Sequence, residues 1–190
     1  SNLNPKLLFS NLINHDDVDK EYLRKILNYK CGSGTFRMNV ALSELPNFNC
    51  LPGKEIAEHH KSGIIIAPTL TYMDEAFTDA KKHGWSKNPI VEMLIPSTVD
   101  QSLAPEGKHV ASLFCQQFAP KLPMNKSWHD EKTNAAETII DTVNKYAPNF
   151  KKSIIGSSIL SPLDLEEKLG LLGGDIMHGV MTLDQMWAAR

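Results

Sequence analysis

A glycine-rich segment near the end of the chain has the residue types best suited to contact a ligand. Residues 173–179 read GGDIMHG, with a histidine that precedes the last glycine. Glycine has no side chain, so its backbone can come close to a bound molecule. The same spacing is typical of a tight connector whose histidine is satisfied by backbone groups. Spacing alone leaves both interpretations open.

A second group of titratable residues lies around position 58. Glu55 and His59 are four residues apart, and Glu58 and His60 are adjacent to His59. Helical spacing would put Glu55 and His59 on one side, as a pair of metal ligands for a hydrolase. The favoured interpretation is a solvated polar loop, so the sequence assigns no metal site.

Other acidic and histidine residues have simpler structural interpretations. Asp16, Asp17 and Asp19 lack the glycine and the distal glutamate of a calcium loop, which favours a helix-capping role. The sequence WHD at residues 128–130 resembles a histidine–aspartate pair, but its place at a helix start favours capping and packing. His109 opens a strand and is interpreted as structural.

Known phosphate-binding and catalytic motifs are missing from the sequence. The nearest approach to the dinucleotide fingerprint G-x-G-x-x-G is residues 32–34 (GSG), which follow a helix and lead to Arg37. A dinucleotide site needs these glycines between a strand and a helix, so the segment is interpreted as a turn. No Walker motif, nucleophile elbow or H-E-x-x-H is present.

Composition indicates one folded domain. Of 190 residues, 42% are hydrophobic and 22% charged, and the net charge of -2 leaves no basic surplus for nucleic acid. No apolar run approaches the roughly 20 residues of a membrane span. Cys31, Cys50 and Cys115 are an odd, widely spaced set, which fits a reducing compartment. We find no signal peptide in residues 1–14 and expect a cytoplasmic protein.

Hydrophobic periodicity predicts an alternation of helices and strands. Alternation in FRMNVAL predicts a strand over residues 36–42, and apolar runs predict strands over 64–67, 90–95, 110–118 and 153–160. Helices are predicted after Asp16 and Asp17, from Thr71 to Gly84, from Ser127 to Pro148 and from Ser161 to Gly170, with a final capped segment from Thr182 to the last residue. Because few strand pairs have a helical crossover, we predict an α+β fold, with a mostly antiparallel sheet and helices packed on one face.

Several short segments, taken in order, resemble a known family. They are FRMNVALSELPNF at 36–48, IPS at 95–97, LAPEGKHV at 103–110, SLF at 112–114, YAPNF at 146–150, LSPLDLE at 160–166 and GLLGGDIMHGVMTLDQ at 170–185. This ordered set is similar to the substrate domain of the phytoene-dehydrogenase-related FAD-dependent oxidoreductases. Each segment is weak alone, and the resemblance covers about residues 36–190.

The resemblance implies a desaturase, dehydrogenase or isomerase of an apolar substrate. Residues 1–190 would be one substrate-binding domain, with the FAD-binding segments upstream of residue 1 and downstream of residue 190. FAD is expected in the full-length protein and not on this chain alone, which would be inactive. The missing FAD domain is an expected partner, and peripheral membrane contact and self-association remain open. The alternative is a non-enzymatic interaction module that kept the fold and lost the redox chemistry.

The resemblance also assigns site residues. It implies flavin contact for the glycine/histidine loop, namely Gly173, Gly174, Asp175, His178 and Gly179. Backbone N–H groups there would stabilise negative charge on the reduced ring. His178 would donate a hydrogen bond or move a proton and is the candidate catalytic residue.

Overall fold

The structure is a computed structural model that describes residues 2–186. Its helices are α1 (Pro5–Asn11), α2 (Lys20–Leu27), α3 (Glu58–Lys61), α4 (Leu70–His83), α5 (Trp128–Tyr146), α6 (Phe150–Ser153) and α7 (Pro162–Leu169). Its strands are β1 (Phe36–Leu42), β2 (Ile64–Ile66), β3 (Trp85–Leu94), β4 (His109–Phe118) and β5 (Ile154–Leu160). Within residues 2–186, no helix combines the length and the apolar character that crossing a membrane requires.

The five strands form one antiparallel sheet in the order β2-β3-β4-β1-β5. β1 lies between β4 and β5, with Phe36 opposite Cys115 and Leu42 opposite His109. The pairs β4-β1 and β1-β5 join strands that are not consecutive in the chain, whereas β2-β3 and β3-β4 join consecutive strands. The predicted fold class, α+β with an antiparallel sheet and packed helices, is confirmed.

The core fills the space between one sheet face and α5. Every second residue of β1 (Phe36, Met38, Val40 and Leu42) is at most 1% exposed, as the alternation in its sequence predicted. Ile139 and Val143 of α5 belong to the same buried cluster. Burial of this apolar surface is the main favourable contribution to folding.

Side-chain caps set the ends of the helices. At α5, the hydroxyl of Ser127 accepts a hydrogen bond from the His129 amide, and the Trp128 indole donates to the Ala119 carbonyl at 2.9 Å. At α7, which begins after Ser161 as predicted, Ser161 and Asp164 form a capping box. Capping and packing therefore account for the WHD segment.

Two predicted helix starts were wrong. α4 is capped by Thr69, whose hydroxyl accepts from the Tyr72 amide, two residues before the predicted Thr71. α2 is capped by Asp19, whereas Asp16 and Asp17 lie in a preceding 3-10 turn. Of the segment predicted from Thr182 onward, a 3-10 turn at Leu183–Gln185 is observed, and residues 187–190 lie outside the described residues.

Candidate functional site

The glycine-rich segment folds back from the end of α7 onto the residues that precede β1. Gly173 and Gly174 have left-handed backbone conformations, with φ of 67° and 63°, which reverse the chain. The Thr35 amide donates to the Gly174 carbonyl at 3.3 Å, and Gly34 and Asp175 form an antiparallel bridge. Two segments that are about 140 residues apart in sequence therefore lie side by side.

Hydrogen bonds to the Asp175 side chain hold these two segments together. Its carboxylate is fully buried, and one oxygen, Oδ2, accepts hydrogen bonds from the amides of Gly32 (3.0 Å) and Ser33 (3.1 Å). The other oxygen, Oδ1, accepts from the Met177 amide at 3.0 Å. Both oxygens and all three amides are thus engaged within the chain.

The glycines of this segment pack against the protein itself. A Cβ atom added to Gly174 would lie 2.5 Å from the Pro162 Cα, and one added to Gly179 would collide with the Tyr29 ring. A Cβ on Gly173 would approach Gly32 Cα to 3.1 Å. A tight connector accounts for all three glycines, and their predicted contact with a cofactor stays a prediction.

His178 has a strained backbone and an unsatisfied ring nitrogen. Its φ is 58°, a conformation in which non-glycine residues are uncommon. Its amide donates to the Asp175 carbonyl, and its carbonyl accepts from the Asn4 side chain. The ring atom Nδ1 is buried and finds no hydrogen-bond partner within residues 2–186. An unpaired buried nitrogen is costly, which keeps His178 a candidate for ligand contact.

A cavity of about 660 Å³ opens beside the same loop. Its walls are residues 32–35, three residues of α4, the end of β4 with its continuation to Pro120, and part of residues 176–182. Its volume lies within the roughly 300–1,000 Å³ of small-molecule sites. Met177 and Val180, which lie within two residues of His178 in sequence, line the cavity, but His178 is not among the lining residues.

The cavity wall is mainly apolar and carries a single kind of charge. Its large apolar side chains are Phe77, Phe114, Phe118, Pro120, Ile176, Met177, Val180 and Met181. Gln116 and Gln117, which are joined by a cis peptide bond, supply polar groups. Lys81 is the one charged residue of the wall among the described residues, and no carboxylate lines it. Such a surface suits an apolar molecule better than a phosphate.

The second candidate group does not form a metal site. His60 is 1% exposed, its Nδ1 accepts from the Ala57 amide, and its Nε2 donates to the Pro46 carbonyl at 3.0 Å. Both ring nitrogens are thus used by backbone, and Glu55 is exposed. No group of three histidine, cysteine or acidic side chains in residues 2–186 is arranged to hold a metal ion. The prediction of a solvated loop was wrong for His60, which is a core residue.

Two more histidines surround His60. The rings of His59 and His60 are 3.9 Å apart, and burial, followed by the effect of His60, lowers the pKa of His59. The same two causes lower the pKa of His109, whose Nδ1 lies 3.5 Å from the Ser97 hydroxyl. Both shifts favour neutral rings at physiological pH, which agrees with a structural role for His109.

The cysteines show no paired arrangement. All three are free thiols, with Cys50 exposed and Cys31 partly buried. Cys115 is fully buried in β4, and burial raises the pKa of its thiol. Cys115 therefore packs as a small buried hydrophobic residue.

No family model matches the sequence. The chain is 38% identical over 191 residues to a protein of Rattus norvegicus named pyridine nucleotide-disulfide oxidoreductase domain-containing protein 2. It is 36% identical over 191 residues to the Mus musculus protein of the same name. The chain is a relative of these proteins. Each match takes in 98% of the chain and 33% of the relative, so the chain spans about a third of the length of the curated relatives it matches.

This relationship agrees with the ordered sequence segments. Those segments predict the branch that bears the relatives' name, and the two matches support it, whereas the link to phytoene dehydrogenases stays a prediction. The two relatives are named for an oxidoreductase domain, and the matched third of their length takes in the cavity and the loop described above.

Proposed function

We propose that this chain forms the substrate side of a FAD-dependent oxidoreductase related to phytoene dehydrogenases. The reaction is a dehydrogenation, desaturation or isomerisation of an apolar molecule. The observation that carries the proposal is the mainly apolar cavity beside the glycine/histidine loop, in a chain related to proteins named for an oxidoreductase domain. The cavity holds the substrate, and its aromatic walls exclude water from the reacting carbon.

The glycine turn at residues 32–34 does not fit the pyrophosphate of FAD. Protein sites for pyrophosphate use free backbone amides at a glycine-rich turn and a helix N-terminus. In this chain, the amides of Gly32 and Ser33 donate to Asp175 instead. The proposal therefore assigns nucleotide binding to polypeptide outside this sequence, and we expect residues 1–190 alone to bind no FAD and to be inactive.

The chain's own contribution is to bind and orient the substrate. When bound, a flavin supplies the hydride acceptor of the reaction. Phe77 and Phe114 supply flat apolar surfaces for the substrate, and Ile176 and Met177 of the loop add to the apolar wall. His178 holds or moves a proton at Nδ1, a role supported by the burial of that atom without a partner in residues 2–186.

Purification with and without the proposed FAD-binding polypeptide tests this function. The longer protein should co-purify with flavin, seen as visible absorbance, whereas residues 1–190 mixed with FAD should lose it on gel filtration. Stoichiometric FAD on residues 1–190 after gel filtration would contradict the assignment of nucleotide binding. A longer protein that folds without flavin and retains a protein partner in a pull-down would favour the interaction module instead.

The role of His178 has its own test. His178→Ala should lower turnover by the longer flavoprotein and leave the unfolding transition of this chain nearly unchanged, because Nδ1 makes no hydrogen bond with any residue from 2 to 186. His129→Ala is the matched control, since His129 is exposed near the start of α5. Equal turnover by the His178→Ala protein and the parent would refute the role.

A further inference from the structure

Among the described residues, the cavity wall carries one positive charge and no negative charge. Lys81 lies in the last turn of α4, with its ammonium 3.9 Å from the centre of the Phe77 ring, and both residues line the cavity. Within residues 2–186, no acidic side chain forms an ion pair with Lys81. Its charge is therefore available to a ligand.

A second cation, Arg37, lies beside another aromatic residue of the wall, Phe114. The guanidinium carbon of Arg37 is 5.6 Å from the centre of the Phe114 ring, and one guanidinium nitrogen donates to the Ser112 hydroxyl at 3.0 Å. Among the described residues, the cavity lining carries the charge of Lys81 and no carboxylate, so the net charge of the wall is positive. An apolar cleft with a positive rim attracts a molecule that is apolar over most of its length and anionic at one end.

We propose that the cavity binds a single-chain amphiphile with one anionic head group, held at Lys81, and an apolar tail lying between Phe77 and Phe114. The inference rests on the proposed function, because it names the class of substrate for the same cavity. Lys81 is exposed, so the head group keeps part of its hydration at the cavity mouth while the tail is buried. The cation thereby fixes which end of the molecule enters first.

Matched ten-carbon probes test the head group. Decanoate, decan-1-ol and decylamine share one tail and differ in charge, and each is titrated calorimetrically into the 190-residue chain, without flavin, below its aggregation concentration. We expect decanoate to bind about fivefold more tightly than decan-1-ol, with decylamine weakest. The preference for decanoate should shrink as the salt concentration rises.

Variants of adjacent lysines separate a specific contact from general attraction. Lys81→Gln should remove the preference for decanoate, whereas Lys82→Gln should keep it, because Lys82 follows on the same helix and does not line the cavity. Lys81→Glu should reverse the order, so that decylamine binds best. Both lysines are exposed, so these variants are expected to fold.

The outcomes also separate this inference from the proposed function. Equal binding of decanoate and decan-1-ol would overturn the anionic head group and leave an apolar substrate standing. Equal loss of preference in the Lys81→Gln and Lys82→Gln chains would overturn the contact with Lys81, as would binding of none of the probes. Flavin retention by the longer protein is measured separately and does not depend on any of these results.

Discussion

Replacing Asp175 with asparagine tests the contact that holds the glycine-rich loop against the rest of the chain. The side chain is fully buried, and its two oxygens accept from the amides of Gly32, Ser33 and Met177 at 3.0–3.1 Å. Asparagine has nearly the same shape but offers one oxygen and an NH₂ group. Whichever way the amide is turned, its NH₂ faces at least one backbone N–H.

The expected loss follows from these three hydrogen bonds. A hydrogen bond to a charged group contributes about 1.5–3 kcal/mol and a neutral one about 0.5–1.5 kcal/mol. The substitution weakens the bonds that remain and removes at least one, and water can replace part of the loss because Ser33 is exposed. We expect the free energy of unfolding to fall by about 2–4 kcal/mol. Asp184, an exposed residue paired with Lys30, is the matched control, and Asp184→Asn should cost less than about 1 kcal/mol.

Two measurements are needed, because the loop can detach without global unfolding. Urea denaturation followed by circular dichroism gives the global loss. Hydrogen exchange gives the local one, through the amides of Gly32, Ser33 and Met177, which should be protected in the parent and exchange rapidly in the Asp175→Asn chain. A loss below about 0.5 kcal/mol with these amides still protected would refute the reasoning, since buried acceptors of this kind cannot be replaced at so small a cost.

Two further predictions concern the framework that supports the loop. Ile140→Ala should reduce the free energy of unfolding by about 2–5 kcal/mol, because Ile140 lies in the core and is only 8% exposed. A loss well under 1 kcal/mol in urea denaturation would show that this face of α5 is not packed. Burial alone would raise the pKa of Asp164, but hydrogen bonds from Lys168 and Ser161 hold it well below its usual value. Such a group stabilises the fold above its unfolded-state pKa of about 3.9 and loses that effect as the pH falls toward the folded-state pKa. The stability difference between the parent and Asp164→Asn, measured in urea at several pH values, should therefore be constant near neutral pH and shrink below about pH 4; a difference that stays constant to about pH 2 would contradict this.

Local sequence patterns predicted most of the framework because each depends on neighbouring residues. The alternation in β1 and the capping box at Ser161 need no information from the rest of the chain. The start of α4 was misplaced because Thr69 and Thr71 are both suitable caps. Only the observed backbone shows that the Thr69 hydroxyl reaches the Tyr72 amide.

Contacts between segments that are distant in sequence could not be predicted from local sequence patterns. His60 looks like a surface histidine in its polar neighbourhood, yet the carbonyl that satisfies its Nε2 belongs to Pro46, 14 residues earlier. The cavity wall combines four segments between residues 32 and 182, and the local patterns that predicted α4 and β4 do not show that these segments meet. The strand order β2-β3-β4-β1-β5 brings these segments together, and hydrophobic periodicity does not give strand order.

In the glycine/histidine loop, the residues whose type suggests ligand contact are not the residues that face the cavity. Three of its glycines are required by contacts with Pro162, Tyr29 and Gly32, so the fold alone accounts for them. The residues that face the cavity are the apolar ones between and after them, including Ile176 and Met177, which a search for polar or flexible positions passes over. If the loop contacts a substrate, substitutions at its apolar positions should therefore change substrate binding. Substitutions of its glycines or of Asp175 should first lower the stability of the fold.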